Sequence, residues 1–124
     1  MFKRLILKIC KILNKNKIPY MIIGGQAVLV YGSPRFTKDI DITLGIDTDQ
    51  FSMINEVCRQ LGLKVLPENP EQFAAETKVL PAEDINANIR VDFIFSYTIY
   101  EKEALKRTRQ ILIEDYPVKF ASCE

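Results

Sequence analysis

Two acidic residues alternate with apolar ones in Lys38-Asp39-Ile40-Asp41-Ile42-Thr43-Leu44, and this run is the first place in the sequence where residue type and spacing suggest chemistry. Side chains alternate across a strand, so Asp39, Asp41 and Thr43 share one face and Ile40, Ile42 and Leu44 the other. The run from Ile89 to Ser96 repeats the pattern, with Ile89, Val91, Phe93 and Phe95 on one side and Arg90, Asp92 and Ser96 on the other. If the two runs are neighbouring strands, their apolar sides pack against helices and their three carboxylates meet. Like charges held that close raise their own pKa values unless a divalent cation neutralises them. Oxygen donors without His or Cys favour Mg²⁺ or Mn²⁺ over zinc. Upstream, apolar Ile18 to Ile23 runs into Gly24-Gly25 and then a short helical stretch, Gln26 to Tyr31. Two residues without Cβ let the backbone approach a phosphate, and the N–H groups of a following helix favour its charge. Fourteen positions separate Gly25 from Asp39, enough for one short helix and a loop before the chain returns as a neighbouring strand.

Composition narrows the chemistry. The 124 residues contain no His, which removes Ser-His-Asp and Cys-His catalysis and imidazole general bases. Acid-base work then falls to carboxylates, Lys, Tyr or Cys. Cys10, Cys58 and Cys123 are widely spaced with no CxxC, so they read as small hydrophobes in a reducing compartment rather than a disulfide or zinc framework. The net charge of +1 is unevenly spread: six of the seventeen basic residues and no acid lie in Met1 to Lys17, leaving eleven against sixteen acids in the body. A strongly basic nucleic-acid binder is disfavoured, although the N-terminal face could meet a phosphate backbone. There is no run of eighteen apolar residues and no signal-peptide core, so a soluble, cytoplasmic protein without a membrane partner is expected.

The elements that must position these residues follow from periodicity and punctuation. Phe2, Leu5, Ile6, Ile9, Ile12 and Leu13 share a helical face, and Asn14 to Lys17 ends that helix. Ile18 to Ile23 reads as a buried strand, Ser33 to Thr37 as a loop, and Lys38 to Leu44 as a strand. Asp47 and Thr48 offer N-caps for a helix carrying Phe51, Ile54, Val57, Cys58 and Leu61, with Gly62 at the left-handed C-cap. Asn69-Pro70-Glu71-Gln72 predicts another helix start with a capping side chain. Lys78 to Pro81 and Asn88 to Ser96 read as strands joined through Asp84 to Asn86. Thr98 with Glu101 predicts a capping box on a helix to about Arg107, and Gln110 to Ile113 with Val118 to Ala121 a hairpin around Glu114-Asp115. Ser122-Cys123-Glu124 resembles a helix N-cap and first turn, so one minimal domain spanning 1–124 and lacking a C-terminal helical region is expected.

Each feature has a plain reading. A lone Asp-x-Asp is ordinarily a solvated strand edge, Gly24-Gly25 a tight turn, and Arg35 and Thr37 a surface charge and a strand cap. Their combination is more specific. Gly24-Gly25, Gly32-x-x-Arg35-x-Thr37-x-Asp39-Ile40-Asp41 and the hydrophobic-flanked Asp92 resemble the nucleotidyltransferase superfamily with the polymerase-beta-type fold, closest to AbiEii-type toxins and small prokaryotic nucleotidyltransferases. The resemblance runs from about Ile18 to Ser96. It implies an α+β fold in which a mixed sheet bears the acidic edge and helices pack on its apolar face. It also implies that Asp39, Asp41 and Asp92 hold two Mg²⁺ ions and carry the catalysis, and that Gly24 and Gly25, with Arg35 and Thr37, bind the nucleoside triphosphate. Many members have Gly-Ser where this chain has Gly24-Gly25. Arg90 has two readings, a triphosphate contact or an internal neutraliser of the trio.

The implied reaction moves a nucleoside monophosphate, ATP being one candidate donor, to an acceptor that is RNA, protein or a small molecule. Two rivals stand beside it. One is a degenerate nucleotide- or partner-binding module of a toxin-antitoxin pair. The other is an enzyme completed by a partner chain or by homodimerisation.

Overall fold

The computed structural model describes residues 2–23, 39–96 and 98–121. The expected helix at Gln26 to Tyr31, the loop carrying Arg35 and Thr37, the glycines Gly24 and Gly25, and the helix start at Ser122 all lie outside the described residues.

Helix α1, Phe2–Lys15, ends inside the expected Asn14 to Lys17 stretch, two residues beyond its last apolar residue. Its inward residues Leu5, Ile6, Ile9 and Leu13 are almost completely buried, so packing extends it beyond the last apolar residue. The backbone then turns at Lys17, with φ 59°, and Ile18 N–H closes the helix by donating to the carbonyl of Leu13 at 2.9 Å. Strand β1 is Tyr20–Ile23, shorter than the apolar run because Pro19 has no N–H to donate. Pro19 still accepts a 2.7 Å bond from Gly45 N–H, and a Cβ on Gly45 would stand 2.7 Å from Pro19 Cβ, so this close approach requires glycine.

Strand β2 is Asp39–Leu44. Asp47 then caps a single 3₁₀ turn, Thr48–Gln50, which leads into helix α2, Phe51–Leu61. Gly62 ends α2 at φ 73°, as its position suggests. A two-residue strand β3, Lys64–Val65, follows. Helix α3, Pro70–Thr77, begins where expected, but Asn69 makes no capping bond to the backbone. Its side-chain amide instead donates to Gln72 Oε1 at 2.9 Å, so the predicted cap is not formed.

Strands β4, Val79–Asp84, and β5, Ile89–Phe95, are joined by a turn in which Asp84 Oδ1 accepts from Ala87 N–H. The Thr98–Glu101 capping box is complete and opens helix α4, Ile99–Leu105. Strands β6, Arg109–Ile113, and β7, Tyr116–Phe120, form the expected hairpin, with Glu114 and Asp115 both at positive φ in its turn.

The seven strands form one mixed sheet in the order β3-β4-β5-β2-β1-β7-β6. The central pair, β2 and β5, is parallel, and β1 and β4 flank it antiparallel. Ile40, Ile42, Leu44, Val91, Phe93 and Phe95 project from the central pair into a continuous core with α1 and α2, each 1% exposed or less. Tyr20 is buried there, and its hydroxyl accepts from Lys119 N–H at 3.2 Å, tying β1 to β7. Among the described residues no helix is long and apolar enough to cross a membrane.

Candidate active site

The period-two alternation that buries Ile40 and Ile42 forces Asp39 and Asp41 to the opposite face of β2, and burial of Val91 and Phe93 does the same for Arg90 and Asp92 on β5. The register then decides who meets whom. Asp41 lies directly across from Asp92, while Asp39 lies across from Arg90. Of the three carboxylates expected to meet, Asp41 and Asp92 are brought face to face, whereas Asp39 is set against Arg90 in the neighbouring row. On its other side Asp41 faces Ile23, the last residue of β1, to which Gly24 is covalently joined.

Electrostatics at this spot are dominated by crowding. Asp41 is half-buried, and its carboxyl is pushed above the usual aspartate value by that burial first, then by the charges of Asp92 and Asp39. Arg90 works against the shift. Its Nε donates to Asp92 Oδ1 at 2.9 Å, and the pairing holds the guanidinium yet more firmly in its charged form. The Asp92 side chain is 19% exposed, whereas that of Arg90 is 50% exposed. The guanidinium thus reaches Asp92 from solvent and is not a charge sealed into the interior.

Among the described residues no three acidic, imidazole or thiol side chains converge closely enough to hold a metal ion in this arrangement. The reason is visible in the register. Asp39 stands one row away from the Asp41–Asp92 pair, and Asp92 is bonded to Arg90. The donor chemistry nevertheless suits a hard divalent cation, since every donor is a carboxylate oxygen. Arg90 has room to leave, since half its surface already faces water.

A cleft that sequence reasoning did not anticipate adjoins this face. Its volume is about 490 Å³ and its walls come from Leu66 to Asn69, from Gln72, Phe73 and Glu76 of α3, from Pro81 of β4 and from Arg90 itself. Pro81 lies directly across from Asp92, so cleft and carboxylates share a border. The one sequence signal nearby, the helix start at Asn69-Pro70, placed α3 along the chain but not against β4.

Ser96, on the acidic side by alternation, is instead fully buried, and among the described residues its hydroxyl has no hydrogen-bond partner. Gly24, Gly25, Arg35 and Thr37 fall outside the described residues.

No family model matches this sequence, and no curated protein does. Solved structures do. The antibiotic-resistance factor ANT(2'')-Ia is similar with a TM-score of 0.66 and 22% identity, over 97% of this chain and 64% of that one. A tRNA-processing enzyme is similar with a TM-score of 0.57 and 14% identity, over 96% of this chain and 32% of that one. The chain therefore spans a little under two thirds of the first and about one third of the second. At these identities the likeness is one of fold, and the fold is the α+β nucleotidyltransferase arrangement of a mixed sheet with packed helices.

Proposed function

We propose that the protein is a metal-dependent nucleotidyltransferase of the small prokaryotic, AbiEii-like kind, which moves a nucleoside monophosphate from a nucleoside triphosphate to an acceptor. One observation carries the reading: Asp41 and Asp92 are direct neighbours on adjacent parallel strands, with Asp39 on the same face, in a fold shared with ANT(2'')-Ia. Asp39, Asp41 and Asp92 are the residues that would hold Mg²⁺ or Mn²⁺. When bound, two such ions supply neutralisation of the triphosphate and a lowered pKa for the acceptor hydroxyl.

The acceptor oxygen bonds to the α-phosphorus while the bond from that phosphorus to the α–β bridging oxygen breaks. Pyrophosphate leaves with the electron pair. With no His in the sequence, Asp92 is the group suited to take the hydroxyl proton, and Asp39 and Asp41 serve chiefly as ligands. Gly24 and Gly25 follow Ile23, the ladder partner of Asp41, and are assigned to the triphosphate together with Arg35 and Thr37. Arg90, once released from Asp92, offers a cation beside the same groups. The free, buried thiols of Cys10 and Cys58 suit a reducing, cytoplasmic setting.

The test is incubation with Mg²⁺ and each labelled triphosphate over RNA, protein and small-molecule pools, alongside Asp41→Asn and Asp92→Asn. Label transfer that depends on both carboxylates is expected; transfer that survives either substitution overturns the mechanism. The Arg90–Asp92 pair favours a second reading, in which the guanidinium stays in place and the domain binds nucleotide or a partner, as in a toxin-antitoxin pair, without turnover. A thermal shift with Mg²⁺ and triphosphate but no label transfer to any pool identifies that case.

A further inference from the structure

We propose that the outer edge of β6 recognises itself: it pairs antiparallel with the β6 of a second copy and so forms a two-fold dimer. Nothing in this depends on nucleotidyl transfer.

The two ends of the sheet are finished differently. At one end β3 is two residues long and is followed at once by Leu66-Pro67, a length and a residue that discourage further pairing. At the other end β6 runs from Arg109 to Ile113 without Pro and in unbroken register with β7. Among the described residues no strand pairs with its outer side. Glu114 and Asp115 form a two-residue hairpin loop, and the residues flanking such a loop, Ile113 and Tyr116, exchange both backbone bonds. Ile113, Ile111 and Arg109 therefore direct their backbone groups to β7, while Gln110 and Leu112 direct theirs outward. Strand β7 shows the same phase. Lys119, the partner of Gln110, gives its N–H to Tyr20, and Pro117, the partner of Leu112, has none to give.

That outward edge complements itself. With Ile111 on the two-fold axis, Gln110 lies opposite Leu112 of the second copy and exchanges both bonds with it, and the symmetry repeats this pair. This register alone overlaps the whole strand. Residues directly opposite share a face, so Ile111 meets its own copy on the core side. On the carboxylate side Leu112, 65% exposed, becomes a diagonal neighbour of its copy. Beyond the strand ends, Thr108 comes opposite Glu114 and Arg107 opposite Asp115 of the second copy, so unlike groups meet at both ends. The axis stands perpendicular to the sheet, which leaves both Asp41–Asp92 pairs facing the same way. Pairing uses up both β6 edges, and the blunt β3 edges cannot extend the sheet, so assembly stops at two copies. One short strand pair is a small interface, and a dissociation constant of about 10–100 μM is expected.

Sedimentation velocity from about 1 to 500 μM should show a reversible monomer–dimer equilibrium. Leu112→Lys should raise the dimer dissociation constant at least tenfold and leave the unfolding temperature of the dilute chain unchanged, because the side chain lies outside the core. Cysteine substitutions then read the register directly. In a Cys123→Ser background, with Cys10 and Cys58 buried, mild oxidation should cross-link Ile111→Cys at least tenfold faster than Gln110→Cys. Two copies of position 111 face each other with Cα atoms about 4.5 Å apart, within disulfide reach, whereas position 110 faces 112. A chain that stays monomeric throughout, a Leu112→Lys variant that dimerises like the wild type, or cross-linking of Gln110→Cys as fast as Ile111→Cys would each overturn the proposal. Should Leu112→Lys lower the unfolding temperature, the cross-linking ratio decides alone.

Discussion

Two adjacent rows of residues cross the same face of the sheet and obey opposite electrostatic logic. The outer row reads Lys64, Glu83, Arg90, Asp39 across β3, β4, β5 and β2, each the ladder partner of the next, with charges alternating in sign at every step. The next row reads Pro81, Asp92, Asp41, Ile23, and sets two like charges side by side between apolar neighbours. Opposite charges across a ladder stabilise a sheet and like charges destabilise it. The first row is what selection for stability alone produces. The second is a local cost that the fold tolerates at its centre, and such costs gather at functional sites. Arg90 connects the rows, since it belongs to the balanced one and lends its Nε to the unbalanced one.

The largest effect should come from taking charge out of the unbalanced row. Asp41→Asn or Asp92→Asn is expected to lower label transfer at least about 10³-fold, roughly 4 kcal/mol of barrier. Asp41→Asn should at the same time raise the melting temperature by a few degrees, about 0.5–1 kcal/mol, because it removes the repulsion while its amide can still donate to Asp92. Loss of stability in that variant would show that the row is structural. The balanced row should respond in the opposite sense. Glu83→Lys places three cations side by side and should cost about 1 kcal/mol, read as a lower midpoint in urea at constant slope. Arg90→Gln tests the link between the rows. In metal-free buffer it should cost about 0.5 kcal/mol, the worth of a half-exposed pair, and Mg²⁺ should restore the loss. A deficit in Arg90→Gln that Mg²⁺ leaves unchanged would mean the guanidinium does not stand where a cation acts.

The unbalanced row was legible in outline because strict alternation exposes it: Ile40 and Ile42 had to be buried, so Asp39 and Asp41 could not be. Which carboxylate faces which was not legible, because strand register depends on contacts between segments some fifty residues apart and no local signal encodes it. The hairpin at Glu114-Asp115 and the Thr98–Glu101 capping box were legible for the opposite reason, since both are closed within a few residues. Asn69 shows the limit of that locality: its side chain found Gln72, one turn on, instead of the backbone. Strand β3 is two residues long and carries no periodicity to detect. The cleft was invisible because Leu66, Phe73 and Arg90 belong to no shared motif and are brought together only by how β3, α3 and β5 pack.

The smallest expected effect lies away from both rows, at a carboxylate whose surroundings do the reverse of what Asp41's do. Asp47 accepts from Thr48 N–H at 2.6 Å, where it caps the 3₁₀ turn, and from Lys78 Nζ at 3.1 Å. The first of these, more than the second, holds its carboxyl below the usual aspartate range. A depressed carboxyl contributes stability that is fully present above the ordinary aspartate pKa and is lost as pH falls through its lower folded value. Asn caps a helix about as well as Asp, so Asp47→Asn keeps the cap and removes only the charge. With the side chain 41% exposed, solvent screens the pair, and the expected cost at neutral pH is about 0.3 kcal/mol. The difference between wild type and Asp47→Asn should shrink as the pH is taken below the ordinary aspartate value, followed by urea midpoints at each pH. A difference that grows on acidification would mean that the charge at Asp47 opposes folding, and that Asp41 is then not the exception among these carboxylates.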